Sequence, residues 1–262
     1  MLGAIAGDII GSVFEHHPIK TVEFPLFSER STFTDDTVLT VAVANAILNG
    51  WAYGPTIKAF GRRYPYAGYG ASFYQWLQLA EIQPYNSWGN GSAMRVSPVG
   101  YAFESEEAVL QEARKSAVVT HNHPEGIKGA EATALAIYWA RTGRNKEDIR
   151  REIERRFGYD LGRRLADIRP SYRFDVSCQG SVPESIIAFL ESEGVEDAIR
   201  KAISLGGDSD TMGCIAGGIG EAYYGGVPTE IVEQVQRRMP VELWEIVENF
   251  YRRYDKWQEP VV

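Results

Sequence analysis

Apolar and small residues recur along this chain with the 3.6-residue period of helices, and no stretch reads persuasively as a strand. Residues 2 to 14 predict a helix in which Gly3, Gly7 and Gly11 share one stripe. A glycine in mid-helix costs up to about 1 kcal/mol against alanine. Three at this spacing predict that another backbone or a ligand comes very close. Asp8 lies within the same apolar stretch, where an acid is either paired or near a site. Glu15, His16, His17 and Pro18 end the helix. Residues 16 to 33 read as a long loop containing Phe24 and Phe27, either a lid or a packed surface loop. From Asp36 to about Leu48 the chain is apolar on all sides, which predicts a central buried helix stopped at Asn49-Gly50.

Residues 55 to 81 predict a helix, a Gly/Tyr-rich break from Tyr64 to Gly70, and a second helix through Trp76. Ser105 to about Val119 is amphipathic, and Pro124 opens a further helix through Trp139 to Gly143. The charged helix from Asn145 to Phe157-Gly158 has only Ile149, Ile153 and Phe157 as an apolar stripe, so it belongs at the periphery. Residues 158 to 180 read as irregular. Ser181-Val182-Pro183-Glu184 has the form of a capping box, starting a helix to Ser192 that is followed by one from Val195 to Leu205. The stretch from Asp210 to Tyr224 carries Gly213, Gly217, Gly218 and Gly220 and mirrors the first helix, so these two are expected to pack closely. A final helix holds Leu243, Ile246, Phe250 and Tyr251. The sum is roughly ten helices, expected to form one all-α domain over residues 1–262 without linker, repeat or low-complexity run.

Candidate chemistry gathers in two acidic knots. Thr34-Asp35-Asp36-Thr37 starts the apolar helix, and Gly206-Gly207-Asp208-Ser209-Asp210-Thr211 starts the second glycine-striped one. Each knot read alone is also a set of helix N-caps, for which Asp and Thr are preferred. Adjacent acids twice over go beyond what caps require. Oxygen donors without His or Cys suit hard cations such as Mg²⁺, Mn²⁺ or Ca²⁺. If the knots meet, like charges about 4 Å apart cost roughly 4 kcal/mol at an effective dielectric near 20. Such a cluster needs cations, or some of its acids stay protonated.

Two weaker signals lie between the knots. Gly89, Asn90 and Gly91 allow positive φ and could expose amides as an anion nest, with Ser92 capping the next helix; a plain turn is the alternative. His121 sits in a tight interhelical turn, as a contact to an anionic ligand or as a cap of the preceding helix.

Composition narrows the classes. With 44% hydrophobic and 24% charged residues the 262-residue chain is ordinary globular protein. Its net charge of −8 weighs against a dedicated nucleic-acid binder. Cys178 and Cys214 make neither a disulfide framework nor a zinc set, and a reducing, cytoplasmic compartment is expected. The N-terminal stretch carries Asp8 and no basic region, unlike a signal peptide, and no segment is long and apolar enough for a membrane span.

In order along the chain, Gly3-Ala4-Ile5-Ala6-Gly7-Asp8, Gly11-Ser12 with Glu15, Phe33-Thr34-Asp35-Asp36-Thr37, Gly89-Asn90-Gly91-Ser92-Ala93-Met94-Arg95, His121-Asn122-His123-Pro124-Glu125-Gly126 and Gly206-Gly207-Asp208-Ser209-Asp210-Thr211-Met212-Gly213 resemble the ADP-ribosylglycohydrolase family. The resemblance implies an all-α fold around two divalent cations, Mg²⁺ or Mn²⁺, with Thr34, Asp35, Asp36, Asp208, Asp210 and Thr211 as ligands. It implies that an ADP-ribose moiety, carried by a protein or small molecule, binds beside the metals. The Gly89, Asn90, Gly91 and Ser92 loop, with Met94, and His121 would face its diphosphate and ribose. Glu15 matches a loop glutamate near the scissile bond, with Asp35 or Asp36 holding the attacking water. Some relatives place an adenine-stacking aromatic where this chain has Ser181, leaving Tyr172 and Phe174 as candidates. A monomer acting away from membranes is expected. Two other readings remain at this point: a phosphatase using Asp208-Ser209-Asp210, which normally follows a buried strand, and a homologue that binds ADP-ribose without turnover.

Overall fold

The computed structural model describes residues 1–81 and 83–254; residues 255–262, the end of the expected domain, lie outside them. Its first helices are α1 (Leu2–Gly11), α2 (Asp35–Asn49), α3 (Tyr53–Arg63) and α4 (Ala71–Gln78). Short helices α5 (Gly91–Met94) and α6 (Ser97–Ala102) lead into α7 (Glu106–Ala117), α8 (Pro124–Arg141) and α9 (Lys146–Phe157). Then follow α10 (Leu165–Ile168), α11 (Cys178–Leu190), α12 (Val195–Ile203), α13 (Ser209–Tyr224), α14 (Thr229–Gln236) and α15 (Val241–Tyr254). Among the described residues no strand forms beyond a single antiparallel bridge between Gly89 and Ser177. The fold is all-α.

The two glycine-striped helices are its axis. α1 and α13 lie against each other along their length. A Cβ on Gly213 would come within 2.7 Å of the Gly7 carbonyl oxygen, and one on Gly11 within 2.6 Å of the Asp210 Cα. Only glycine, whose Cα carries a second hydrogen in place of a Cβ, lets these backbones touch. α8, α11 and α12 surround α13, while α2 packs against α3 and α15. Buried apolar side chains from all these helices form one continuous core. α9 is peripheral, as its single stripe predicts, and its outer face carries ion pairs such as Arg151–Asp148 and Arg155–Glu152. Exposed pairs of this kind contribute at most about 1 kcal/mol each.

Three local expectations are corrected. α11 begins a turn before the Ser181 box: Ser177 is the cap, its Oγ accepting from the Gly180 amide at 3.1 Å. Glu184 pairs with Arg163 at 2.7 Å instead of reaching back to Ser181. Ser92 caps nothing, because α5 starts at Gly91 and the Ser92 hydroxyl donates to the Gly126 carbonyl at 2.6 Å. Among the described residues the helix count rises from about ten to fifteen, chiefly through short helices such as α5, α6 and α10, too brief to show a period.

The loop after α1 is pinned rather than free. Arg200 donates to the carbonyls of Val22 and Phe24 at 3.0 and 2.7 Å, and Lys20 donates to that of Tyr172 at 2.7 Å. Phe14 packs edge-on to Phe24 with ring centroids 4.8 Å apart. The lid alternative thus yields to the packed one.

Candidate active site

The contact of α1 with α13 carries Asp8 to Asp210, and the N-terminus of α2 brings Asp36 to both. Carboxylate oxygens of Asp8, Asp36 and Asp210 lie within 4.8 Å of one another, as do those of Glu15, Asp208 and Asp210. Asp210 belongs to both groups. Asp8 is buried and caps α2 from outside: it accepts from the amides of Thr34 and Thr37, each at 3.0 Å, and from both their hydroxyls, Thr34 at 2.6 Å. An anion is favoured there by the helix dipole and the unpaired first amides. Thr211 donates to Asp36 Oδ2 at 3.2 Å, and Asn90 Nδ2 donates to Asp208 Oδ2 at 2.8 Å. Asp36 Oδ1 is buried without a hydrogen-bond partner.

Electrostatics follow from this crowding. Burial, and then the charge of Asp210, push the Asp8 carboxyl up to about 7. The same causes in the same order raise Asp35, Asp36 and Asp208 well above the usual carboxylate range. Glu15 on the loop is raised by burial and Asp210, with His16 opposing. The donors are all oxygens, the acids repel one another, and one carboxylate oxygen lacks a partner. This set fits divalent hard cations.

A cavity of about 330 Å³ opens on this cluster. Its lining includes an acidic group, Glu15, Asp35, Asp36, Asp208, Asp210 and Thr211, and a second group, Gly89, Asn90, Gly91, Arg95 and His121, joined to the first where Asn90 donates to Asp208; Met94 also lines it. Thr34 and Ser92 are not in its wall: Thr34 is spent on Asp8, and Ser92 is fully buried. The Gly89–Gly91 loop is not a nest with positive φ, since neither glycine is left-handed. The amides of Gly89 and Asn90 are taken by Ser87 Oγ and the Val176 carbonyl, at 3.1 and 2.8 Å. Gly91 is small for another reason: His121 Nε2 lies 3.1 Å from where its Cβ would stand. Within α5 the amides of Ala93 and Met94 pair with the Asn90 carbonyl at 2.8 and 3.0 Å.

His121 lines the cavity and caps no helix; His123 instead caps α8, its Nδ1 accepting from the Glu125 amide at 3.1 Å. Phe174 is half-exposed on the cavity rim, whereas Tyr172 donates its hydroxyl to the Gly180 carbonyl at 2.7 Å and stands outside it. Asp208 follows α12 and a glycine pair rather than a strand, which removes the context an aspartyl-phosphate site needs.

Two residues stand out that the sequence left without a place in the site. Asp8 was visible as a buried acid, but its partners were not. Arg95 is fully buried in the cavity wall, with Nε and Nη1 lacking hydrogen-bond partners. Its only sequence signal was a cation inside an otherwise small and apolar helix start.

A family model described as ADP-ribosylglycohydrolase matches residues 1–260. A protein described as ADP-ribosylhydrolase ARH3 from Xenopus tropicalis is 25% identical over 338 residues, covering 99% of this chain and 92% of its own. The Homo sapiens protein of the same description is 28% identical over 305 residues, covering 86% and 84%. ADP-ribosylarginine hydrolase Tri1 from Pseudomonas putida (strain GB-1) is 28% identical over 155 residues, covering 56% and 42%. A solved structure described as an ADP-ribosylglycohydrolase-related protein complex superposes with a TM-score of 0.73 at 25% identity over 97% of each chain. The family match takes in both acidic segments and the glycine-packed helices that join them, and on that ground the chain belongs to the ADP-ribosylglycohydrolase family of glycosyl-bond hydrolases.

Proposed function

We propose that this protein hydrolyses the glycosidic bond between ADP-ribose and an acceptor, a protein side chain such as arginine or another ADP-ribosylated group. Two divalent cations, Mg²⁺ or Mn²⁺, would be held by Thr34, Asp35, Asp36, Asp208, Asp210 and Thr211, with Asp8 orienting Thr34 and the start of α2. The observation that carries this reading is one cavity lined both by crowded acids and by His121 and the buried Arg95. A ligand with a sugar diol at one end and an anionic diphosphate in its middle complements that arrangement. When bound, the cations neutralise the acids and polarise ligand oxygens as Lewis acids.

The chain's own groups do the rest. Asp35 borders the cavity, with the backbone amide of its own residue as a donor to its carboxyl, and is placed there to hold and orient water. Glu15 borders the same space with a carboxyl raised above its ordinary range by burial and by Asp210, so it holds a proton more tightly than a free glutamate and is placed to pass one to the reacting group. Cleavage at the anomeric carbon passes through an oxocarbenium-like state, which nearby carboxylates stabilise. Phe174 offers an exposed ring for adenine, in place of the aromatic that Ser181 cannot supply. The ARH3 relatives are described as ADP-ribosylhydrolases and Tri1 as acting on ADP-ribosylarginine, which supports the substrate class.

The test supplies ADP-ribosyl-arginine, ADP-ribosyl-serine and ADP-ribosylated nucleic acid, each with Mg²⁺ or Mn²⁺ and then with EDTA. Free ADP-ribose from one substrate, abolished by EDTA, is expected and names the acceptor. Release that survives EDTA would defeat the metal-dependent mechanism. Binding of ADP-ribose without release from any substrate would favour a non-catalytic binder.

A further inference from the structure

Arg95, Thr120 and His121 form a hydrogen-bonded chain that ends at the cavity. Arg95 Nη2 donates to the Ser116 carbonyl at 2.8 Å and to Thr120 Oγ1 at 3.0 Å. Thr120 Oγ1 stands 2.7 Å from His121 Nδ1. Arg95 and Thr120 are fully buried, and His121 nearly so.

The direction of this chain is decided by counting protons. A guanidinium only donates, so Thr120 Oγ1 accepts from Arg95. The hydroxyl has a single proton of its own to place. Nδ1 of His121 is the one acceptor that meets it among the described residues. If Nδ1 carried the ring proton instead, a buried hydroxyl proton would go unpaired, at a cost of about 1–3 kcal/mol. Nδ1 is therefore the acceptor, and the proton of the neutral ring sits on Nε2. That atom lies 3.1 and 3.6 Å from the positions a Cβ would take on Gly91 and Gly89, beside the first amides of α5. Burial, with Arg95 adding to it, holds the imidazole well below its ordinary protonation range, so the ring stays neutral.

We infer that Arg95 and Thr120 are positioning residues that lock His121 in one tautomer, presenting Nε2–H as a fixed donor to an anionic group at this end of the cavity. Identifying that group as the ligand's diphosphate rests on the function proposed above; the tautomer does not. A fixed neutral donor is paired with a buried cation behind it. The site thereby offers charge and direction without placing a mobile ammonium where it would migrate to the acidic end.

The experiment is nitrogen NMR of the ring atoms in protein labelled at its four histidines, with His121→Gln used to assign the signals. In the unliganded protein His121 is expected to show an unprotonated Nδ1 and a protonated Nε2 at neutral pH. A protonated Nδ1 would overturn the inference. Thr120→Val removes the hydroxyl at nearly constant shape; it should mix the tautomers and weaken ADP-ribose binding about tenfold, the equivalent of one hydrogen bond. Thr120→Ser should restore both. An unchanged tautomer in Thr120→Val would also overturn the inference. Should that variant not fold, the wild-type spectrum and Thr120→Ser still decide. The expected tautomer together with no binding of ADP-ribose or inorganic pyrophosphate would uphold the tautomer assignment and count against the proposed function.

Discussion

The two ends of the cavity meet the problem of buried charge in opposite ways. At the acidic end, Asp8, Asp36, Asp208 and Asp210 are drawn together by packed backbones, and their mutual repulsion is left standing. At the other end, a single buried guanidinium donates to one carbonyl and one hydroxyl, and the hydroxyl in turn meets a neutral imidazole. The first end leaves Asp36 Oδ1 without a partner, and the second leaves Nε and Nη1 of Arg95 without one. Asn90 joins them, its side-chain amide on Asp208 and its neighbours against His121, so a ligand spanning both is held in one register. On the function proposed above, the difference means that affinity at the acidic end should depend on added ions and on pH, whereas at the donor end it should depend on side-chain geometry.

Breaking the acidic end should have the largest effect. Asp210→Asn removes the member common to both carboxylate groups; ADP-ribose release is expected to fall at least about a hundredfold. Without metal the same variant should melt at a higher temperature than wild type, since a repelling charge is gone. Substantial turnover by Asp210→Asn would sink a mechanism built on two metals.

Next in size is stabilisation by the ions themselves. Mg²⁺ or Mn²⁺ at a hundred times its dissociation constant should stabilise the fold by about 2.7 kcal/mol, read as a rise in melting temperature that EDTA reverses. The pH dependence has a definite sign. Asp8 is raised from 3.8 to about 7, so the folded state binds protons more tightly than the unfolded chain. The cluster's contribution to metal-free stability must fall as pH rises through that window and recover below it. Melting curves in EDTA should show this slope, and metal should flatten it. A slope that persists unchanged with metal bound would mean that the metal does not neutralise the charge Asp8 faces at Asp210.

The donor end should respond more mildly, and in KM rather than kcat. After the roughly tenfold loss expected for Thr120→Val, Phe174→Ala should raise KM about fivefold, the lower part of the range for a base stacked on an aromatic ring. Steady-state kinetics on the substrate identified by the release assay distinguish this from a loss in kcat, which would place Phe174 nearer the reacting bond.

Much of this was legible in the sequence where a pattern was long or chemically odd. The all-round apolar α2 and the glycine stripes of α1 and α13 announced a central packing, because glycine at helical spacing has a cost that only close approach offsets. The acidic knots were legible as oxygen donors. What escaped were distances set by tertiary contact. Ser181-Val182-Pro183-Glu184 satisfied a local rule, but Ser177 met the same need a turn earlier and Arg163 captured Glu184. Gly89 and Gly91 suggested unusual backbone, whereas the constraint was a histidine ring from a distant turn. Helices of four to six residues such as α5, α6 and α10 are shorter than two turns and carry no readable period.

The contact between α1 and α13 also imposes an order on assembly. Asp8 is made early in synthesis and Asp210 late, so the cluster cannot exist on a partly made chain. Until α13 emerges, the glycine face of α1 has no partner. A contact of such long sequence separation is slow to form, because loop closure precedes any reward. The crowding of these acids is therefore a late event that reports a finished fold, and on the function proposed above a nascent chain would have no such site to offer a divalent ion.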